Sequence, residues 1–339
     1  RSGGRPVLLQ HGLLSSSFDF ISPQTYNALS YSLADAGYDV WLGNSRGNIY
    51  SDKHTMYSKS DPRFWNFTWD DMAMHDFPAI IDYILRVSNR RRLYVVGHSQ
   101  GALTFIASSS MHPQLQWKVK HFFALAPALS SLYARSSFLS DMSETMTADT
   151  FDESIYYGSL FREICGSTEL RDLCYALFEE FSGPIRQVDW SQLPLVTSHF
   201  PGGTSNKNLK HWLQQMRSGT RYFDYGANEN LAVYGTTHPR EYNFYAYSVP
   251  TSIYFSPADK LVTSEDIKIA LHRLPPSTIV KTRNLTNFGH FEFIWGNRAK
   301  AEIYNEIIDD MNRMDSNRRY MPRFKNTQFQ HNVASPRTR

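Results

Sequence analysis

The stretch from Leu93 to Ala107 constrains this chain more than any other. Leu93-Tyr94-Val95-Val96 is an apolar, β-branched strand, Gly97-His98-Ser99-Gln100-Gly101 is a turn, and a helix starts at Ala102. A strand that passes into a helix through Gly-x-Ser-x-Gly calls for a parallel sheet with helices packed on it. The serine then stands at the apex of a tight, strained turn, and the glycines let neighbouring backbones pass close by. Small residues at Ala102 and Ala107 allow the helix to approach the sheet. The pentapeptide also fits an ordinary strand-to-helix turn, so the rest of the chain must decide between them.

The segments around it supply the sheet. Pro6–Gln10 reads as a buried strand, 27–36 as a helix stopped by Gly37, and Tyr38–Leu42 as the next strand. From Trp69 to Val87, apolar residues at Met72, Phe77, Ile80, Ile81, Ile84 and Leu85 predict a helix with one buried face. Phe122–Pro127 is a further buried strand. Strand and helix alternate throughout, which predicts the α/β class: a mostly parallel sheet flanked by helices. The rhythm is lost after Pro127. Amphipathic pieces separated by Gly and Pro follow, with Phe138, Phe161, Trp190, Phe200 and Trp212 expected at the surface. This predicts a helical insertion, either a lid that presents apolar surface or an ordinary helical subdomain. Strands return at Thr251–Ser256 and Thr278–Thr282, and a last helix runs from Ala299 to Met311. The expected organisation is a core of residues 1–127 and 243–312, a helical cap or lid at 128–242, and a basic, disordered tail at 313–339.

Asp259 and His290 follow the last two core strands, at the edge where open α/β sheets carry their sites. The chain order Ser99, Asp259, His290 is the order of a serine-hydrolase triad on such a sheet. His290 would take the Ser99 proton, and Asp259 would orient the imidazole and stabilise its charged form. A second backbone donor is needed for the oxyanion. His11-Gly12-Leu13-Leu14, after the first strand, offers the Leu13 amide beside that of Gln100. His11 and His98 are expected only to shape their turns. Asp266 falls in a helix and Asp224 in the insertion, which leaves Asp259 as the acid. Arg46 is expected to anchor a carboxylate or loop carbonyls. Such a two-step route through an acyl-enzyme needs no metal and no organic cofactor, and no metal cluster, P-loop or dinucleotide fingerprint occurs in the sequence.

With 339 residues, 20% of them charged and 14% aromatic, the chain is globular in composition, and no apolar run reaches the roughly 18 residues of a membrane span. The net charge of +3 is concentrated at one end. Residues 1–312 hold 28 basic and 31 acidic side chains, whereas 313–339 holds seven basic and one acidic. That tail lacks aromatic interleaving, so no nucleic-acid partner is expected. Cys165 and Cys174 would lie roughly 13 Å apart on a continuous helix, too far to bridge. They pair only if the chain turns between them, which Gly166-Ser167-Thr168 permits; two reduced thiols are the alternative. Asn66-Phe67-Thr68 and Asn284-Leu285-Thr286 are candidate N-glycosylation sites.

Several long segments together resemble the acid lipase family of α/β-hydrolases, the gastric and lysosomal acid lipases. They are Leu9–Leu14, Leu33–Asn48, Phe64–Ala73, Asp76–Ile84, the Gly97–Gly101 turn, and His290 followed by Phe293-Ile294-Trp295-Gly296. The resemblance runs from Val7 to Met311 and implies Ser99, Asp259 and His290 as triad and Leu13 and Gln100 as oxyanion hole. It also implies a Cys165–Cys174 cap disulfide, a secreted or lysosomal setting, and lipid esters such as triglycerides or sterol esters, met at a lipid–water interface. His211-Trp212 with Ser218-Gly219 is similar to a recurring cap stretch. The family carries edge strands and a linker ahead of the position of Val7, which leads us to expect a fragment or partial gene model. Ala102 stands where the family has threonine, His75 where it has tyrosine, and Glu292 where it has aspartate; the basic tail has no counterpart. A carboxylesterase or acyltransferase acting on smaller esters, or a non-catalytic lipid-binding protein of this fold, are the alternatives.

Overall fold

A computed structural model describes residues 3–22, 27–136 and 163–316. Six strands form one sheet, all in parallel pairing, in the order β2-β1-β3-β4-β5-β6. They are β1 (Pro6–Gln10), β2 (Asp39–Gly43), β3 (Leu93–His98), β4 (Val119–Leu125), β5 (Thr251–Phe255) and β6 (Ile279–Asn284). Helices follow the strands: α1 (Leu29–Asp35), α2 (Phe77–Ser88), α3 (Gln100–Met111), and, between β4 and β5, α4 (Arg171–Ser182), α5 (Leu193–His199), α6 (Asn206–Ser218) and α7 (Ala227–Tyr234). The last described elements are α8 (Ser264–Arg273), the single-turn α9 (Glu292–Trp295) and α10 (Asn305–Ser316).

The central strands are buried on both faces, as parallel strands covered by helices must be. Side chains alternate between two cores with the period of a strand. Val7, Leu9, Tyr94, Val96, Phe123 and Leu125 meet Leu33 of α1 and Ile307 and Met311 of α10. Leu8, Val95, Phe122 and Ala124 meet Phe77 and Ile81 of α2 and Phe105 of α3.

The expected helix over 69–87 is interrupted. A capped turn at Trp69–Asp71 leads into a π-helical turn at Met72–Asp76 before α2 begins. Pro78 is the cause: it has no N–H for the Met74 carbonyl one turn earlier, so the hydrogen-bond ladder slips. His112 Nε2 donates to that freed carbonyl instead, at 2.9 Å. The last helix likewise opens with a π-helical turn, at Lys300–Tyr304, and α10 runs on to Ser316, so Arg313 to Ser316 are helical.

Phe200 is buried against Phe178, Phe291 and Trp295, and Trp212 is half-buried with its indole N–H bonded to Gln100 Oε1, so neither is the exposed aromatic that the composition suggested. Phe138 and Phe161 lie outside the described residues. Cys165 and Cys174 form a disulfide, because the chain turns at 167–170, between a short helical piece and α4, and brings their Cα atoms to 5.0 Å.

Candidate active site

Ser99 sits between β3 and α3 with φ 53° and ψ −117°, a left-handed conformation that a non-glycine residue adopts only under constraint from its surroundings. The constraint is visible in the packing. A Cβ on Gly101 would lie 2.5 Å from the Gln10 carbonyl oxygen, so α3 can start here only against the bare backbone of β1's end. A Cβ on Gly12 would lie 3.0 Å from the Ser99 Cβ, which puts the loop after β1 directly on the nucleophile candidate.

His290 lies in the loop between β6 and α9. Its Nδ1–H donates to Asp259 Oδ2 at 2.7 Å, and both side chains are buried. That bond fixes the tautomer and leaves Nε2 with its lone pair. Asp259 is itself held: Oδ1 accepts the backbone N–H groups of Leu261 (2.8 Å) and Val262 (2.9 Å). Ser256 Oγ accepts from Ala258 N–H in the acid loop and from Phe288 N–H in the histidine loop, tying the two together. The Ser182 carbonyl, at the end of α4, accepts the backbone N–H of His290 at 2.9 Å. Ser99 Oγ and His290 Nε2 are not hydrogen-bonded to each other.

The two candidate oxyanion amides are oriented by one device. In a trans peptide the N–H points opposite to the preceding carbonyl, so gripping the carbonyl aims the amide. The Gly12 carbonyl, paired with the Leu13 N–H, accepts from His11 Nδ1–H at 2.8 Å and from Ser15 N–H at 3.3 Å. The Ser99 carbonyl, paired with the Gln100 N–H, accepts from Ala102 (3.0 Å), Leu103 (3.2 Å) and Ala128 (3.5 Å). His11 is fixed in turn, since its Nε2 accepts from Ser45 N–H at 3.0 Å and Asn48 Nδ2 at 3.1 Å. Such an imidazole must be neutral, and burial pushes its pKa down to about 4. His98 donates from Nε2 to the His290 carbonyl at 3.0 Å, and burial together with the neighbouring His290 holds its pKa well below the usual imidazole range.

The rival acids have other work. Asp266 caps α8 through Thr263 and accepts from Ser130 Oγ, while Asp224 accepts from Gly226 N–H and Asn230 Nδ2 in a turn. Arg46 forks onto Asp76, the carboxylate anchor expected of it. Glu292, to which the sequence assigns no task, has one in the structure. Buried in α9, it accepts Gly289 N–H with Oε2 (2.9 Å) and Gln187 N–H with Oε1 (2.7 Å), clamping the histidine loop to the segment after α4. Burial pushes its pKa up to about 7 against the pull of those two donors. An acidic residue followed directly by Phe293-Ile294-Trp295 was the available signal, because a carboxylate in an apolar run is buried with partners or not at all. Among the described residues, no cluster of His, Cys, Asp or Glu could hold a metal ion.

A family model described as the alpha/beta hydrolase fold matches residues 5–297. Gastric triacylglycerol lipase of Bos taurus is 39% identical over 321 residues, spanning 91% of this chain and 80% of that protein. Lysosomal acid lipase/cholesteryl ester hydrolase of Rattus norvegicus is 36% identical over 324 residues, 91% of this chain and 81% of that protein. The chain belongs to the acid lipase family of α/β-hydrolases. A solved thermophilic esterase from Thermogutta terrifontis shares the fold at a TM-score of 0.51 and 12% identity, over 92% of this chain and 90% of that one. Ser99, His290 and Asp259 follow β3, β6 and β5 at the carboxyl edge of the sheet.

Proposed function

We propose that Ser99, His290 and Asp259 are the catalytic triad of a lipase that cleaves carboxylic esters of neutral lipids, triglycerides or sterol esters. The observation that carries this reading is the buried Asp259–His290 pair in a chain 39% identical to a gastric triacylglycerol lipase. Ser99 Oγ attacks the ester carbonyl carbon while His290 Nε2 takes the hydroxyl proton. The carbonyl π electrons move onto oxygen, and the amides of Leu13 and Gln100 receive the resulting oxyanion. Collapse breaks the ester C–O bond, the alcohol leaves with the proton from Nε2, and water repeats the cycle on the acyl-Ser99 to release the fatty acid. Asp259 holds the imidazole and balances its transient charge.

The described parts of the insertion, 128–136 and 163–242 with α4 to α7, form a cap over this edge in our reading, and the enzyme works at a lipid–water interface. No helix of the described residues is long and apolar enough to cross a membrane. A secreted or lysosomal setting agrees with the disulfide and with the relatives' names. Asn66 and Asn284 are both exposed, as glycan acceptors must be.

The test is hydrolysis of emulsified long-chain and dissolved short-chain esters, at mildly acid and neutral pH, by the full chain and its Ser99→Ala variant. Long-chain activity that disappears in the variant is the expected result. A preference for dissolved short chains identifies an esterase instead. Folded protein that binds lipid and cleaves neither ester overturns the catalytic reading.

A further inference from the structure

Helix α6 buries a polar face. Asn208, His211 and Gln215 are almost fully buried there beside the half-buried Trp212, while the buried apolar residues are only Leu209 and Leu213. Buried amides are destabilising unless they are hydrogen-bonded, and a Leu-rich face would hold a helix onto a core more firmly. What the polar groups reach is therefore informative. Asn208 Nδ2 donates to Gln100 Oε1 at 2.9 Å, and Trp212 Nε1, one turn on, donates to the same oxygen. Gln100 Nε2 rests on Met72 Sδ at 3.7 Å, so the carboxamide is held at both ends. Gln215 Nε2 donates to the Ala128 carbonyl at 2.9 Å, and the Ala128 N–H is one of the three groups on the Ser99 carbonyl. One helix face thus reaches the turn around Ser99 by two routes, through the Gln100 side chain and through Ala128.

We propose that Asn208 and Trp212 are positioning residues for ester cleavage. By pinning the Gln100 carboxamide they add to the three donors on the Ser99 carbonyl in holding the Gln100 main-chain N–H where the oxyanion forms, and they tie that residue to the position of α6. This rests on the reading of Ser99 and Gln100 given above. It assigns a task to the His211-Trp212 stretch, which the triad and the two amides leave unexplained. The Trp212 indole and Asn208 amide touch no reacting atom in this scheme; they act through Gln100.

The substitutions Trp212→Phe, which keeps an aromatic side chain, though a smaller one, and removes the N–H, and Asn208→Ser are compared in the full chain with Gln100→Met and the double variants. Turnover of a dissolved p-nitrophenyl ester and thermal unfolding are measured for each. Each single α6 variant is expected to lower kcat about five- to tenfold, with KM within about twofold, as for loss of one hydrogen bond to a group that matters most in the transition state. In the Gln100→Met background the same substitution is expected to lower kcat no further. Additive losses in that background, or lowered unfolding temperature with unchanged kcat, overturn the proposal and leave α6 a structural element. If one single variant fails to fold, the other carries the same prediction. A parent chain whose turnover survives Ser99→Ala, or that shows no turnover, overturns the reading on which the proposal rests, and the proposal falls with it.

Discussion

His11 carries no reacting atom, yet both of its ring nitrogens are committed. Nδ1–H holds the Gly12 carbonyl, and Nε2 accepts from Ser45 and Asn48. Replacing it by phenylalanine keeps much of the shape, leaves the Gly12 carbonyl only its longer bond from Ser15 N–H, and strands two donors. His11→Phe is expected to lower kcat by about tenfold or more with little change in KM, and to lower stability by about 1–3 kcal/mol for each donor left unpaired. Steady-state kinetics and urea unfolding check the two parts. The pH dependence has a definite sign. The folded-state pKa lies near 4, below the ordinary 6.5, so His11's contribution to stability is complete above that ordinary value and is lost as pH falls towards and through 4. Protonation also gives Nε2 a hydrogen that faces the Ser45 N–H, which it can no longer accept.

At the level of elements, α9 connects the histidine loop to two other parts of the site. Glu292 clamps Gly289 to Gln187, and Trp295 Nε1 donates to Asp19 Oδ1 in the loop that follows Leu13 and Leu14. A glutamine at 292 has one acceptor oxygen for two backbone donors that now use separate oxygens. Glu292→Gln is therefore expected to cost about 1–3 kcal/mol of stability and to lower kcat, read by thermal unfolding and by turnover of a dissolved ester; an unchanged unfolding temperature would refute the clamp. Much of this level was legible in the sequence. Strand β2 was placed one residue early, β3 and β5 nearly in full, and Ser99, Asp259 and His290 lie where the alternation of strand and helix put them. What escaped was set by tertiary contact. Pro78 was in view, but the π-helical turn it forces depends on His112 arriving from α3's far end to take the free carbonyl. Trp212 and Phe200 looked like surface aromatics because nothing in their own neighbourhood in the chain announces Gln100 or Phe291 as partners.

For the molecule as a whole, buried titratable groups pull in opposite directions with pH. Burial pushes Asp19 up to about 7 and Glu292 up to about 7, so in each the stabilising contribution is full below the ordinary carboxyl range and is lost as pH rises through 7. Burial pushes His121 down to about 3 and holds His98 and His211 low as well, so together with His11 they oppose stability as pH falls below 6.5. Asp19→Asn keeps an oxygen for Trp295 and removes the charge. It is expected to stabilise the chain at pH 8 and to lose that advantage by pH 5, measured by urea unfolding at both values; an equal effect at both would show that Asp19 does not titrate near 7. The strand order has a temporal consequence as well. β1 to β4 can pair among themselves, and they bring Ser99, Leu13 and Gln100 together from the first part of the chain. Asp259 and His290 arrive only with β5 and β6, after a long non-local closure of the kind that forms slowly. A nascent chain that has made β1 to β4 therefore holds the Ser99 turn and both candidate oxyanion amides before Asp259 or His290 exists.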